Sequence, residues 1–225
     1  MRPLEIIHLG RIRYRDAMAR MEQRVADRSA GRVPDCLFLL EHEPVITLGR
    51  RAKQENVLFP AEALQAQGID VVESGRGGDV TYHGPGQIVG YPVVDLRPER
   101  KDVRRFVSDL EETMIRTCAH FGVEAGRESG LTGTWVDGKR KIGAIGVRIS
   151  KWISSHGFAL NVVPDSVEAF RWIVPCGISD RAVTSLSAET GRPITVEQVL
   201  PVVEACFVER FGDRTAPSVG PEAAL

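Results

Sequence analysis

At 225 residues, with 43% hydrophobic and 26% charged side chains, the chain is long enough for one substantial core and has the composition of an ordinary globular protein. That composition excludes an intrinsically disordered chain, and no apolar run approaches the roughly 20 residues that a membrane-spanning helix needs. A formal net charge of −1 gives no long-range pull toward nucleic acid or a membrane surface, so neither is expected as a partner.

The opening MRPLEIIHLG lacks the long apolar stretch of a signal peptide, so a cytoplasmic location is expected. Tyr14, Met18, Met21 and Val25 recur at helical spacing and predict an amphipathic helix that ends near Gly31. Two apolar runs, Cys36–Leu40 and Pro44–Leu48, read as strands. The stretch Ile69–Leu96 is glycine-rich at its start and strand-like toward Val94. Val103, Phe106, Val107, Leu110, Met114, Cys118 and Phe121 trace one face of a second long helix. The basic cluster Arg97, Arg100, Lys101, Arg104 and Arg105 reads as a solvated face.

Asp137-Gly138 between Leu131–Val136 and Ile142–Ile149 predicts a tight hairpin, with Lys139, Arg140 and Lys141 following the turn. Ser154–Val163 reads as another strand. Asp165 is placed to cap a short helix through Phe170, which leads into Pro175-Cys176-Gly177. Thr195 and Gln198 have capping-box spacing ahead of a last helix, which Pro201 is expected to kink or to start later. Strand-like and helix-like segments alternate without repeats or a linker. One α/β (α+β) catalytic domain over residues 1–212 is therefore expected, with a poorly ordered tail from 213 to 225.

The four cysteines form no CxxC or Cys/His pattern, so neither zinc nor a disulfide framework is indicated. Cys36 and Cys118 fall on apolar faces, and Cys206 lies beside one; all three read as inert packing residues. Cys176 differs because Pro175 and Gly177 flank it, which puts the thiol on a turn where a substrate can reach it. A thiol of pKa ~8.5 is only a few per cent thiolate at neutral pH, so a catalytic one needs a cation or base beside it. Lys141, His83 and His156 are the candidates on the residues alone.

The segment Gly75–Gln87 carries five glycines in thirteen positions. It lacks the Gly-Lys-Ser/Thr ending of a phosphate loop and the GxGxxG spacing of a dinucleotide site, so these glycines border some other kind of ligand or a tight turn.

Three motifs in register, Arg76-Gly-Gly-Asp-Val-Thr-Tyr-His-Gly-Pro-Gly-Gln87, Lys141-Ile-Gly-Ala-Ile-Gly146 leading to His156-Gly-Phe-Ala-Leu-Asn161, and Val174-Pro-Cys-Gly-Ile178, resemble the octanoyl-acyl-carrier-protein:protein octanoyltransferases, also called lipoyl(octanoyl) transferases or lipoate-protein ligase B. The similarity runs from about Glu41 to Leu186, with Gly143 standing where alanine is more usual. The resemblance implies the mixed sheet, flanking helices and smaller second sheet of the biotin/lipoyl protein ligase superfamily. It also implies a reaction in lipoate biosynthesis that needs no cofactor beyond the phosphopantetheine of acyl carrier protein. An octanoyl or lipoyl group would pass from that arm to Cys176, and then to a lysine of lipoyl domains of 2-oxoacid dehydrogenases or of the glycine cleavage H protein. By the same resemblance Lys141 lowers the pKa of Cys176. Arg76, Gly77, Gly78, Asp79, Val80, Thr81, Tyr82 and His83, with Ala144, Ile145, Gly146, Gly157, Phe158 and Ala159, would line the substrate site. Small residues at 143, 144, 146, 157 and 159 are expected to leave room there for an acyl chain. Three alternatives remain at this stage: an ATP-dependent lipoate or biotin ligase, a cysteine hydrolase using His83 or His156, and a non-catalytic binding protein.

Overall fold

The computed structural model describes residues 3–97, 101–174 and 181–212. The chain opens with strand β1 (Leu4–Ile12), helix α1 (Tyr14–Ser29), β2 (Asp35–His42) and β3 (Val45–Leu48). Helix α2 (Ala61–Ala66), β4 (Asp70–Glu73), β5 (Val80–His83) and β6 (Gln87–Val93) follow, and then helix α3 (Val103–His120). Strands β7 (Ala125–Glu128), β8 (Leu131–Val136), β9 (Arg140–Ser150) and β10 (Ile153–Asn161) come next. The last elements are α4 (Asp165–Glu168), β11 (Ala182–Val183), α5 (Leu186–Thr190) and α6 (Val196–Phe211).

The large sheet has the order β1-β2-β6-β10-β9-β8-β7, and β11 runs parallel to the start of β9. Its pairs are antiparallel apart from β1–β2 and β9–β11. Because side chains alternate across a strand, each central strand feeds two cores. Leu37, Leu39, Ile88, Phe158 and Leu160 face α3 and α6, whereas Cys36, Phe38, Leu40, Val89 and Ala159 face α1. Phe106, Leu110, Met114 and Cys118 supply the buried face of α3, and truncating a fully buried leucine such as Leu110 to alanine costs about 2–5 kcal/mol. Val103, expected on that face, is instead 42% exposed, because it occupies the first turn beyond the edge of the core. Asp102 caps α3 by accepting the Arg105 N–H at 3.0 Å.

A second sheet, β4-β3-β5, has its own small core of Ile46, Leu64, Val80, Tyr82 and Ile173. The Gly84-Pro85-Gly86 turn then carries the chain from β5 into the large sheet as β6. The Asp137-Gly138 hairpin forms as expected, with both residues at positive φ (49° and 64°) and the Lys139 N–H closing onto the Val136 carbonyl at 3.0 Å.

Three local expectations are corrected. Pro164, not Asp165, stands at the cap of α4, and the chain from Ala169 to Trp172 is a 3-10 turn. Helix α6 starts at Val196 with Pro201 inside it, so the later start is overturned, because the Gln198 side chain accepts the Thr195 N–H at 2.9 Å and holds the first turn. Strand β1, absent from the reading of the sequence, pairs along its whole length with β2. The expected tail and Arg100 lie outside the described residues. No helix among the described residues is long and apolar enough to cross a membrane.

Candidate active site

Strands β9 and β10 form one wall of a pocket enclosing about 510 Å³ of empty space, its open mouth included. In their register Ala144 faces Ala159, Ile145 faces Phe158 and Gly146 faces Gly157, and all six line the pocket. The glycines serve different neighbours. A Cβ on Gly157 would stand 2.0 Å from the Gly90 carbonyl oxygen of β6, so this glycine lets two strands close up. One on Gly146 would stand 2.9 Å from the Gly77 carbonyl oxygen and 3.1 Å from the Arg76 side chain, so here it is the glycine-rich loop that needs the space. Gly143 does not open the pocket as expected, since its Cβ would meet the Met114 sulfur of α3 at 2.6 Å.

The opposite wall is the loop joining β4 to β5, together with β5 itself. Gly77 donates its N–H to the Val147 carbonyl at 3.0 Å and so docks the loop on β9. Arg76 turns inward and is buried. Its Nε and Nη2 donate to the Thr47 Oγ1 at 3.0 and 2.8 Å, and Nη2 also reaches the Thr47 carbonyl at 2.6 Å. Asp79 is spent on the loop, accepting from the Asn56 side chain at 2.6 Å and from the Lys53 N–H at 3.1 Å. Gly78, Val80, Thr81 and His83 also line the pocket. Gly77 borders an adjoining groove that shares Lys141, Gly78 and Asp79, while Tyr82 packs into the small sheet's core.

Lys141 sits near the start of β9 and lines both the pocket and this groove. Its carbonyl accepts the Thr184 N–H at 2.9 Å, and Val183 of β11 lies beside it in register. Cys176 lies outside the described residues, as do Pro175 and Gly177. The described neighbours of that segment are held by backbone pairings. Val174 donates its N–H to the Asn56 carbonyl at 2.8 Å, while Ala182 lies opposite Arg140.

Sequence reasoning missed the polar lining. Tyr14 and Tyr91 line the pocket beside His156. The His42 Nδ1–H donates to the Ile12 carbonyl at 3.1 Å, so its Nε2 accepts from the Tyr91 hydroxyl at 2.7 Å. The His83 Nδ1–H donates to the Gln87 Oε1 at 2.6 Å. The Gln87 amide donates to the Asn161 Oδ1 at 2.9 Å, and the Asn161 amide to the Thr184 carbonyl at 3.0 Å. This chain of amides fixes one tautomer of His83 and ties β6 to β10 and to the strand beside Lys141. Burial pushes His83 down to about 3, with nearby His42 adding to the shift. It pushes His42 and His156 down to about 4. All three are therefore neutral at pH 7, which makes them hydrogen-bonding groups and weak bases. Among the described residues no three His, Cys, Asp or Glu side chains converge as metal ligands would.

The arrangement is a mainly apolar slot whose lining also carries Lys141, Arg76 and Asp79 with neutral histidines and tyrosines, a shape and composition suited to a mainly apolar ligand with a polar end. Residues 13–208 match the family described as the lipoyl protein ligase A/B catalytic domain. The chain is 46% identical over 208 residues to a protein named octanoyltransferase from Koribacter versatilis, an alignment covering 91% of this chain and 82% of that one. It is 48% identical over 223 residues to another of that name from Acidobacterium capsulatum, covering 93% and 90%. Among solved structures, a lipoate-protein ligase A bound with ATP superposes with a TM-score of 0.77 at 18% identity, over 99% of this chain and 92% of that one, a likeness of fold.

Proposed function

The chain belongs to the lipoyl protein ligase A/B catalytic-domain family and is an acyltransferase, and from that premise we propose that it transfers octanoyl groups from acyl carrier protein to lipoyl-accepting domains in lipoate biosynthesis. The Cys176 thiolate attacks the octanoyl thioester carbonyl, and the carbon–sulfur bond to phosphopantetheine breaks. The departing thiolate takes a proton from the Lys141 ammonium. In the second half, the neutral ε-amine of an acceptor lysine attacks the Cys176 thioester. The amide bond forms, the Cys176 thiolate leaves, and the proton released from the amine returns to Lys141. Exchange between two thioesters is nearly isoenergetic and the amide is more stable, so ATP is not required. Lipoyl domains of 2-oxoacid dehydrogenases and of the glycine cleavage H protein are the acceptors this chemistry fits.

The observation that supports this reading is that Lys141 lines the pocket and pairs in register with Val183, which follows the chain segment that contains Cys176. An ammonium there favours thiolate over thiol. The test is to incubate the protein with octanoyl-acyl carrier protein, without ATP, and to follow the Cys176 peptide by mass spectrometry. One octanoyl group should appear on that peptide and disappear when a lipoyl domain is added. Full transfer by Cys176→Ala, or a strict requirement for ATP, would overturn the proposal.

A further inference from the structure

We propose that Trp135 is a positioning residue that holds the Lys141 ammonium at the reaction centre and links it to the return of the chain at Arg181. The inference rests on Lys141 acting as the partner of Cys176. Trp135 lies opposite Lys141 in the β8–β9 register, with the Lys141 Nζ 5.0 Å from the centre of the indole ring. The Arg181 guanidinium carbon lies 5.4 Å from the same ring centre. Arg181 also donates to the Gly138 carbonyl, so the chain leaving the Cys176 segment is fastened to the β8–β9 hairpin beside this ring.

Two features of the strands place lysine and ring together. The register slips between Thr134 and Trp135, so that Gly143 and Lys141 face consecutive residues and Ile142 is the extra one on β9. Such a bulge re-aims side chains, and here Ile142 is fully buried in the core while Lys141 lines the pocket. On β8, Gly133 has φ 118°, and a Cβ on it would stand 2.5 Å from the Gly143 carbonyl oxygen of β9 and 2.9 Å from the Lys141 Cε. Glycine at this position thus makes room for the β9 backbone and for the lysine stem, whose nitrogen lies by the indole.

The indole has a cost that packing alone does not explain. Trp135 is 2% exposed and its Nε1 has no hydrogen-bond partner among the described residues, so a buried donor is left unmade there where phenylalanine would leave none. What tryptophan adds over other apolar side chains is the strongest attraction for a cation over its ring face. A lysine stem has four flexible carbons, and transfer needs its nitrogen in one place, so a ring that attracts it there lowers the cost of ordering it.

The test uses the full-length protein with Trp135→Phe, Trp135→Met and Trp135→Leu, each alone and with Lys141→Ala. It reads the pH dependence of Cys176 alkylation by peptide-resolved mass spectrometry, with kcat and KM for transfer and a thermal melt for each variant. Leucine should raise the apparent pKa of the thiol and slow alkylation at neutral pH by roughly three- to thirtyfold, the range a cation–π contact supplies. Phenylalanine should retain most of the rate, and methionine, apolar but without a ring, should behave as leucine does and keeps the test available if leucine does not fold. The loss should fall on kcat more than on KM. With Lys141→Ala already present, none of the ring variants should slow alkylation further. An unshifted profile in the ringless variants, while Lys141→Ala shifts it, would overturn the role of Trp135 alone. Equal slowing with and without Lys141 would also overturn it, by showing general damage to packing. No shift in Lys141→Ala would remove the lysine–cysteine pair itself, and this inference with it.

Discussion

His42 and His156 pack beside Tyr91 and His83 beside His42, with ring centres of these pairs 5.7 to 6.2 Å apart, and burial holds each histidine neutral. Their folded-state values lie below the ~6.5 of an unfolded chain, so between the two the unfolded state binds more protons. The stability this contributes is complete above pH ~6.5 and is lost as pH falls toward 3 to 4, at about 1.4 kcal/mol per pH unit for each histidine. Melting temperature should therefore fall steeply from pH 6.5 to 4. His156 is the clean probe, because its backbone sits at φ 54° and its Nδ1 has no hydrogen-bond partner among the described residues. Asparagine tolerates that conformation, so His156→Asn should fold and show a shallower slope of melting temperature against pH. An unchanged slope would remove His156 from this account. The cysteines separate by the same reasoning. Burial pushes the Cys36 and Cys118 thiols up to about 12, and partial burial raises that of Cys206. Alanine at these three should leave the rate of transfer unchanged, at a stability cost of about 1 kcal/mol where the sulfur is buried, whereas Cys176→Ala should abolish transfer.

The β9–β10 pair and the loop docked on it give each glycine a separate experiment. Gly157→Ala drives a methyl group into the β6 backbone and should cost about 3 kcal/mol or more, visible as a much lower melting temperature or failure to fold. Gly146→Ala presses instead on the Gly77 carbonyl and the Arg76 side chain, and Gly77→Val on the Val147 carbonyl at 3.0 Å. Both should displace the loop and lower acyl transfer at least tenfold, with a smaller change in melting temperature than Gly157→Ala. Similar melting losses in all three would show that the loop serves folding rather than the site. These elements were legible to different degrees. Helical spacing exposed α1 and α3, and Asp-Gly marked the β8–β9 turn, because those signals lie within a few residues of sequence. Strand β1 escaped notice because its register slips between His8 and Gly10 and much of its length is only partly buried, so no clean alternation survives. Lys141 and most of the residues singled out by the motifs line one pocket, with Gly77 on the adjoining groove and Tyr82 in the small sheet's core. The motifs could not show that Gly143 serves the core, or that Tyr14, Tyr91 and the Gln87–Asn161 amides complete the polar side, since those contacts join residues far apart in the chain.

At the scale of the whole molecule, the large sheet combines pairings of very different range. Strands β7, β8, β9 and β10 form an unbroken meander in which each pairs with its neighbour in sequence, whereas β6 reaches β10 only after the excursion through α3, with Gln87 and Asn161 bonded across 74 positions. Closing a long stretch of chain costs entropy before its contacts repay it, so local pairings form early and distant ones late. Assembly should therefore begin with the meander that carries Lys141 and end with the small sheet and its loop arriving against β9. Pulse-labelled hydrogen exchange during refolding should protect the amides of β8 and β9 before those linking β6 to β10, and simultaneous protection would count against this order. The molecule then spends the last stage of its assembly with the lysine in place but one wall missing, so the far-ultraviolet signal of strands should recover first and catalytic turnover should appear after a measurable lag.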